Sequence, residues 1–85
     1  MMIHLKLFAS LRELTGTGEE VLALPDHVET LAQLRELLRS RDSRWSEALD
    51  PQRAIRGAIN QRMAQESDPV RDGDEVAFFP PVTGG

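Results

Sequence analysis

Residues 30–41 read TLAQLRELLRSR, and this stretch decides how the rest of the chain is arranged. Leu31, Leu34, Leu37 and Leu38 recur at helical spacing and form one apolar stripe, while Gln33, Arg35, Glu36 and Arg39 fill the remaining positions. Thr30 and Gln33 have the spacing of a capping box, which satisfies orphan amide groups at a helix start. Arg39 and Arg41 stand where cations complement the negative end of the helix dipole. The stretch therefore predicts one well-bounded amphipathic helix, and a helix with one apolar face needs a second layer to cover it.

The flanking segments supply that layer as strands. Upstream, IHLKLF (3–8) alternates Ile3, Leu5 and Leu7 on one face with His4, Lys6 and Phe8 on the other. SLRELTG (10–16) predicts a short helix from about Leu11 to Thr15, with Ser10 and Glu13 as a second capping box and Gly16 as a left-handed cap. EEVLALP (19–25) reads as a second strand ended by Pro25, paired with the first. Downstream, SRWSEAL (43–49) predicts a short helix in which Trp45 and Leu49 cover the edge of the core, closed by Pro51. AIRGAINQRMA (54–64) offers short strands around a polar turn at Asn60-Gln61. After the Asp72-Gly73-Asp74 turn comes a last strand, Glu75 to Phe79, with Val76 and Phe78 on one face and Glu75, Ala77 and Phe79 on the other.

The order strand, strand, long helix, short strands, last strand is satisfied by an α+β architecture in which a mixed sheet packs on one main helix. That is the β-grasp, or ubiquitin-like, arrangement. Eighty-five residues leave room for one domain. We expect a β-grasp body over residues 1–79 and an extended tail over residues 80–85.

Composition narrows the function. The formal net charge of −4 argues against nucleic acid as the main partner, because phosphate binding needs a concentrated basic surface. No apolar run is long enough to span a bilayer, and the first residues lack the pattern of a secretory signal. A soluble, cytoplasmic protein without membrane association is the expectation. There is no cysteine, so no side chain can carry a persulfide or bind zinc as a thiolate. His4 and His27 lack metal-ligand spacing, and Asp68, Asp72 and Asp74 do not follow a calcium-loop pattern. We expect no metal site.

The chemistry points to the end of the chain, FFPPVTGG (78–85). Pro80 and Pro81 fix φ and hold the chain extended as it leaves the last strand. Six residues in a polyproline-like conformation reach on the order of 18 Å. Gly84 and Gly85 add only backbone width, which a narrow tunnel admits where any Cβ would clash. Phe8 and Phe79 stand opposite the core residues of their strands; if those strands are neighbours, the two rings meet on the exposed sheet face. Met63 is a third candidate for the same patch. An apolar cluster beside a stiff tail reads as a partner-docking surface.

LFASLREL (7–14), the capped leucine helix, AINQ (58–61) and above all DGDEVAFFPPVTGG (72–85) closely resemble the ThiS/MoaD family of ubiquitin-like sulfur carriers, and within it the small subunits of molybdopterin synthase. The resemblance covers essentially the whole chain. It implies that the Gly85 carboxylate is the reactive group. An E1-like, MoeB-type adenylating enzyme would use ATP and magnesium to form a transient acyl-adenylate there. A persulfide on another protein would then displace AMP and leave a thiocarboxylate. The tail, Pro80, Pro81, Val82, Thr83, Gly84 and Gly85, would enter the large, MoaE-type subunit, where the sulfur attacks cyclic pyranopterin monophosphate and builds half of a dithiolene. Phe8, Met63 and Phe79 would form the docking face of the resulting heterotetramer. The chain would be a carrier with no catalytic power of its own and no stably bound cofactor. Two other readings keep the same tail: a sulfur carrier for thiamine or cysteine synthesis, and a ubiquitin-like protein modifier.

Overall fold

The computed structural model describes residues 1–81. The chain forms β1 (Met2–Leu7), α1 (Ser10–Thr15), β2 (Glu19–Ala23), α2 (Leu31–Arg39), α3 (Ser43–Ala48), β3 (Arg56–Ile59), β4 (Arg62–Ala64) and β5 (Glu75–Phe79). The strands make one mixed sheet in the order β2-β1-β5-β3-β4. The central pair β1 and β5 is parallel, and the other neighbours are antiparallel. This is the expected β-grasp: α2 packs on one face of the sheet, and the core gathers Ile3, Leu5, Leu7, Leu31, Leu34, Leu38, Val76 and Phe78 between the two layers.

Helix α2 begins as its sequence predicts. The Thr30 hydroxyl accepts from Gln33 N–H at 3.2 Å, and the Gln33 side-chain oxygen accepts from Thr30 N–H at 3.0 Å. Replacing Thr30 by alanine removes half of this box and should lower stability by about 1 kcal/mol, read as a shift in urea midpoint without a change in slope. Its stripe differs from expectation at two positions. Leu37 is only partly buried, whereas Arg35 is 7% exposed and sits among the core-facing residues. Leu31 also approaches the sheet so closely that a Cβ on Gly57 would lie 2.6 Å from Leu31 Cδ2. Glycine at this position lets helix and sheet come together.

The Ser10–Glu13 capping box does not form. Ser10 is already the first residue of α1, and the capping position is Ala9, at φ 53° and ψ −128° with no side-chain cap. The cause lies in the sheet. Phe8 N–H still donates to Phe78 O at 3.2 Å, so the chain must reverse within one residue before Leu11 N–H can reach Phe8 O at 3.1 Å. Such a conformation costs a non-glycine residue on the order of 1–3 kcal/mol. At the other end Gly16 takes the expected left-handed cap, φ 73°, and donates to Arg12 O at 2.9 Å.

Arg41 is not a helix-dipole partner. It lies beyond α2, where its guanidinium grips Glu20 of β2 through bonds of 2.6 and 2.9 Å and stacks over Trp45 at 4.5 Å. The hydrogen bond from Arg41 holds the Glu20 carboxyl below its ordinary range. The pair's contribution is therefore complete above the ordinary carboxyl value of 4.5 and is lost as pH falls through the lowered folded value; this far exposed, it is small. Trp45 and Leu49 lie within the core, at 4% and 0% exposure, and do not merely cover its edge.

The turn residues are also accounted for. Asn60 and Gln61 both have positive φ, 52° and 66°, which joins β3 to β4 in a two-residue hairpin turn. Asp68, Asp72 and Asp74 each accept a backbone N–H, from Gln65, Met2 and Arg71 respectively. Among the described residues no group of three His, Asp or Glu is placed to hold a metal ion, and no helix is long and apolar enough to cross a membrane.

Candidate functional site

The site is built on the face of the sheet opposite α2. Pairing of β1 with β5 sets Leu7 beside Phe78 on the core face, so the next residues, Phe8 and Phe79, adjoin on the outer face. Phe8 is 47% exposed just past the end of β1, while Phe79 is half-buried at the end of β5. On the other side of β5, Ala58 of β3 pairs with Ala77, and Met63 of β4 pairs with Ala58. Met63 therefore shares the outer face, 63% exposed, one residue row in from the phenylalanines. Between these large side chains lie Ala77 and Ala58, with only 9% and 8% of their surfaces exposed. The alternation rule expected Ala77 to be open; its longer neighbours cover it, so the two alanines form a shallow floor.

Charges surround the apolar residues in pairs. Lys6 Nζ lies 3.1 Å from Glu75 Oε1, joining β1 to β5, and His4 Nε2 meets Glu19 Oε1 across β1 and β2. A cleft of about 340 Å³ beside Phe8 is lined by Lys6, Leu7, Arg12, Gly18 and Glu19. Val21 adds an exposed aliphatic side chain opposite His4. Single-strand reasoning missed Arg56, which stands directly opposite Phe79. Its signal was present in the AIRGAI alternation, but only the β3–β5 register shows that its neighbour is an aromatic ring.

Pro80 and Pro81 follow β5 directly and are half-buried. The chain thus leaves the sheet at the edge that carries Phe8, Phe79 and Arg56. The remaining tail positions, Val82, Thr83, Gly84 and Gly85, lie outside the described residues. Among the described residues this face carries no thiol, since the chain has no cysteine, and its amine and imidazole, Lys6 and His4, are held in pairs with Glu75 and Glu19. An apolar floor with aromatic rims and paired charges is suited to binding a protein surface.

Comparison with known proteins gives the family and the fold. The model of the ThiS family matches residues 5–85. The chain is 42% identical over 84 residues to the molybdopterin synthase sulfur carrier subunit of Escherichia coli (strain K12), an alignment covering 99% of this chain and all of that protein. Its fold superposes on a putative molybdopterin converting factor subunit 1 from Pyrococcus furiosus with a TM-score of 0.79 at 26% identity, covering 96% and 99% of the two chains. It also superposes on a chain of the complex of subunits 1 and 2 of the molybdopterin-converting factor from Helicobacter pylori, with a TM-score of 0.65 at 23% identity over the full length of both. The chain belongs to the ThiS family, among the molybdopterin synthase sulfur carrier subunits.

Proposed function

We propose that this protein carries sulfur on its Gly85 carboxylate and delivers it within molybdopterin synthase. The observation that carries the reading is the placement of the outer sheet face: Phe8, Phe79 and Met63 are presented at and beside the edge where β5 hands over to Pro80. One partner can then hold the body by this face and receive the tail. The full-length match to the E. coli carrier subunit supports the same reading over a thiamine-pathway carrier or a protein modifier.

A carboxylate is a poor electrophile, so Gly85 must first be activated. An E1-like enzyme supplies ATP and magnesium, forms the acyl-adenylate and releases pyrophosphate. The terminal sulfur of a persulfide then displaces AMP to give an acyl disulfide, and a thiol reductant cleaves its S–S bond, freeing the donor cysteine and leaving Gly85 as a thiocarboxylate. The tail next enters the large synthase subunit, where the terminal sulfur attacks cyclic pyranopterin monophosphate. Two carriers serve each dithiolene, in keeping with a heterotetramer. The H. pylori complex of subunits 1 and 2, whose fold this chain shares, supports a large-subunit partner. On this reading the reaction is cytoplasmic, where ATP is at hand, and the small subunit has no resident cofactor.

The test is the intact mass of the protein after incubation with an E1-like adenylating enzyme, ATP, a persulfide donor and a thiol reductant, with fragmentation to locate the change. Fragmentation is needed because methionine oxidation gives nearly the same nominal increment as exchange of oxygen for sulfur. Sulfur on Gly85 is the expected result; an unchanged mass with an active enzyme would overturn the reading. The docking face has its own check. Phe79→Ser should weaken association with the large subunit by about 2 kcal/mol or more, the scale of an aromatic anchor, measured by calorimetric titration. Because Phe79 is half-buried, the unfolding free energy of the free variant, read by urea titration, should fall by less than the binding free energy does.

A further inference from the structure

Arg56 opens β3, opposite Phe79. The next residue, Gly57, faces Leu31 in the core, so Arg56 and Ala58 turn to the outer face. Ala58 in turn pairs with Met63. Arg56 is thus beside Phe79 in one direction and diagonal to Met63 in the other. It is exposed, and its guanidinium forms no ion pair and no hydrogen bond with a described residue. Glu66 lines a cleft together with Arg56, and it and three further glutamates are engaged by other cations. Glu75 holds Lys6, Glu19 holds His4, Glu66 holds Arg35 at 3.2 Å, and Glu47 reaches Arg53 at 3.9 Å.

Among the described residues, this cation beside the apolar patch has no partner. A partner that covers Phe79 and Met63 must exclude water from the ground between them, and the guanidinium stands on that ground. Desolvating an unpaired charge opposes association, whereas a carboxylate placed against the planar guanidinium restores two parallel hydrogen bonds and fixes the register of the two surfaces. We propose that Arg56 is a specificity-determining residue of the docking face and that the large subunit presents an aspartate or glutamate to it. The inference rests on the docking reading above. It adds a selection rule: a surface of the right shape without that carboxylate is rejected.

Calorimetric titration of the large subunit with Arg56→Glu, Arg56→Leu, Phe79→Ser, Met63→Asp and the parent protein, at low and moderate salt, separates the two claims. Arg56 is exposed, so its variants should keep the parent's thermal midpoint. We expect Arg56→Glu to weaken binding about 30-fold or more, within the range for truncating or opposing a buried charge pair. Arg56→Leu should weaken it less and flatten its salt dependence. If Phe79→Ser and Met63→Asp weaken binding while Arg56→Glu binds as the parent does, the carboxylate is absent and this inference fails alone. If Phe79→Ser and Met63→Asp both bind as the parent does, the docking reading fails and takes the inference with it.

A chemical readout is independent of affinity. Lys6 is the sole lysine of the chain. Arg56→Lys therefore places a second amine on the face, and a carbodiimide should join it to an acidic side chain of the large subunit in a zero-length amide located by peptide mass. Binding of Arg56→Lys without a cross-link at position 56 would overturn the proposal.

Discussion

Deletion of Gly85, or addition of one alanine after it, is expected to reduce sulfur loading and transfer by at least 1,000-fold while leaving the folded body unchanged. The first part follows from where the chemistry must occur. Without cysteine, the chain has no thiol that substitutes for the carboxylate. Shortening an extended tail by one residue withdraws its end by about 3 Å, and a misplacement of even 1 Å in a reacting group costs on the order of 100-fold. An added alanine places a Cβ where the terminal glycines present none. The second part follows from the packing: the last member of the core is Phe78, so the change falls outside every core contact among the described residues. Thiocarboxylate yield by mass and thermal midpoint by calorimetry check the two halves. Undiminished loading of either variant would remove the Gly85 mechanism; a large fall in midpoint would show that the tail supports the fold.

Replacement of Arg35 by methionine is expected to be strongly damaging to the body, lowering stability by about 3 kcal/mol, the upper end of the cost of leaving a buried polar group unsatisfied. For a domain of this size that corresponds to a fall in Tm of about 12–24 °C. Arg35 lies on the core side of α2, and its guanidinium serves main-chain oxygens at the end of α3. Nε donates to Leu49 O at 2.8 Å and Nη2 to Asp50 O at 2.6 Å, while Nη1 donates to Glu66 Oε1 at 3.2 Å. The carbonyl groups at a helix C-terminus have no partner within the helix; Leu49 O finds its donor in Arg35, whereas Asp50 O also accepts from Arg53 N–H at 2.9 Å. Methionine fills much of the volume but leaves the buried Leu49 carbonyl unsatisfied. Glu66→Gln provides the contrast. Its side chain is 69% exposed, so that change should cost less than about 1 kcal/mol. Urea unfolding of both variants distinguishes a buried backbone clasp from an ordinary surface ion pair; equal effects would refute the assignment.

These two predictions stand on different kinds of information. The tail could be read without a structure, because Pro-Pro stiffness, glycine width and a bare carboxylate are properties of the residues themselves. Arg35 could not. In TLAQLRELLRSR it occupies a position that helical periodicity assigns to the flank of the stripe, and nothing local distinguishes it from Arg39. Its burial depends on α3 and the 49–53 segment folding back across α2, which brings carbonyl groups to a long side chain 14 and 15 residues away in sequence. The expected capping box at Ser10 failed for a related reason. The spacing was correct, but the sheet bond between Phe8 and Phe78 forced the turn one residue early.

The sequence by itself determined the order and type of the elements, the start of α2, the extent of β5 and the chemical character of the tail. Each rests on interactions within a few residues: hydrophobic period, capping hydrogen bonds, left-handed turn positions and proline stereochemistry. Only the tertiary structure decided which outward-facing residues become neighbours. Phe8 meets Phe79 through the parallel pairing of strands at opposite ends of the chain, and Arg56 and Met63 join them through two antiparallel registers. A shift of one residue in any of these pairings would send the same side chains to the opposite face. That register is set by how Val76, Phe78, Gly57 and Leu31 fit together in the core, a constraint spread over the whole chain and written in no single segment of it.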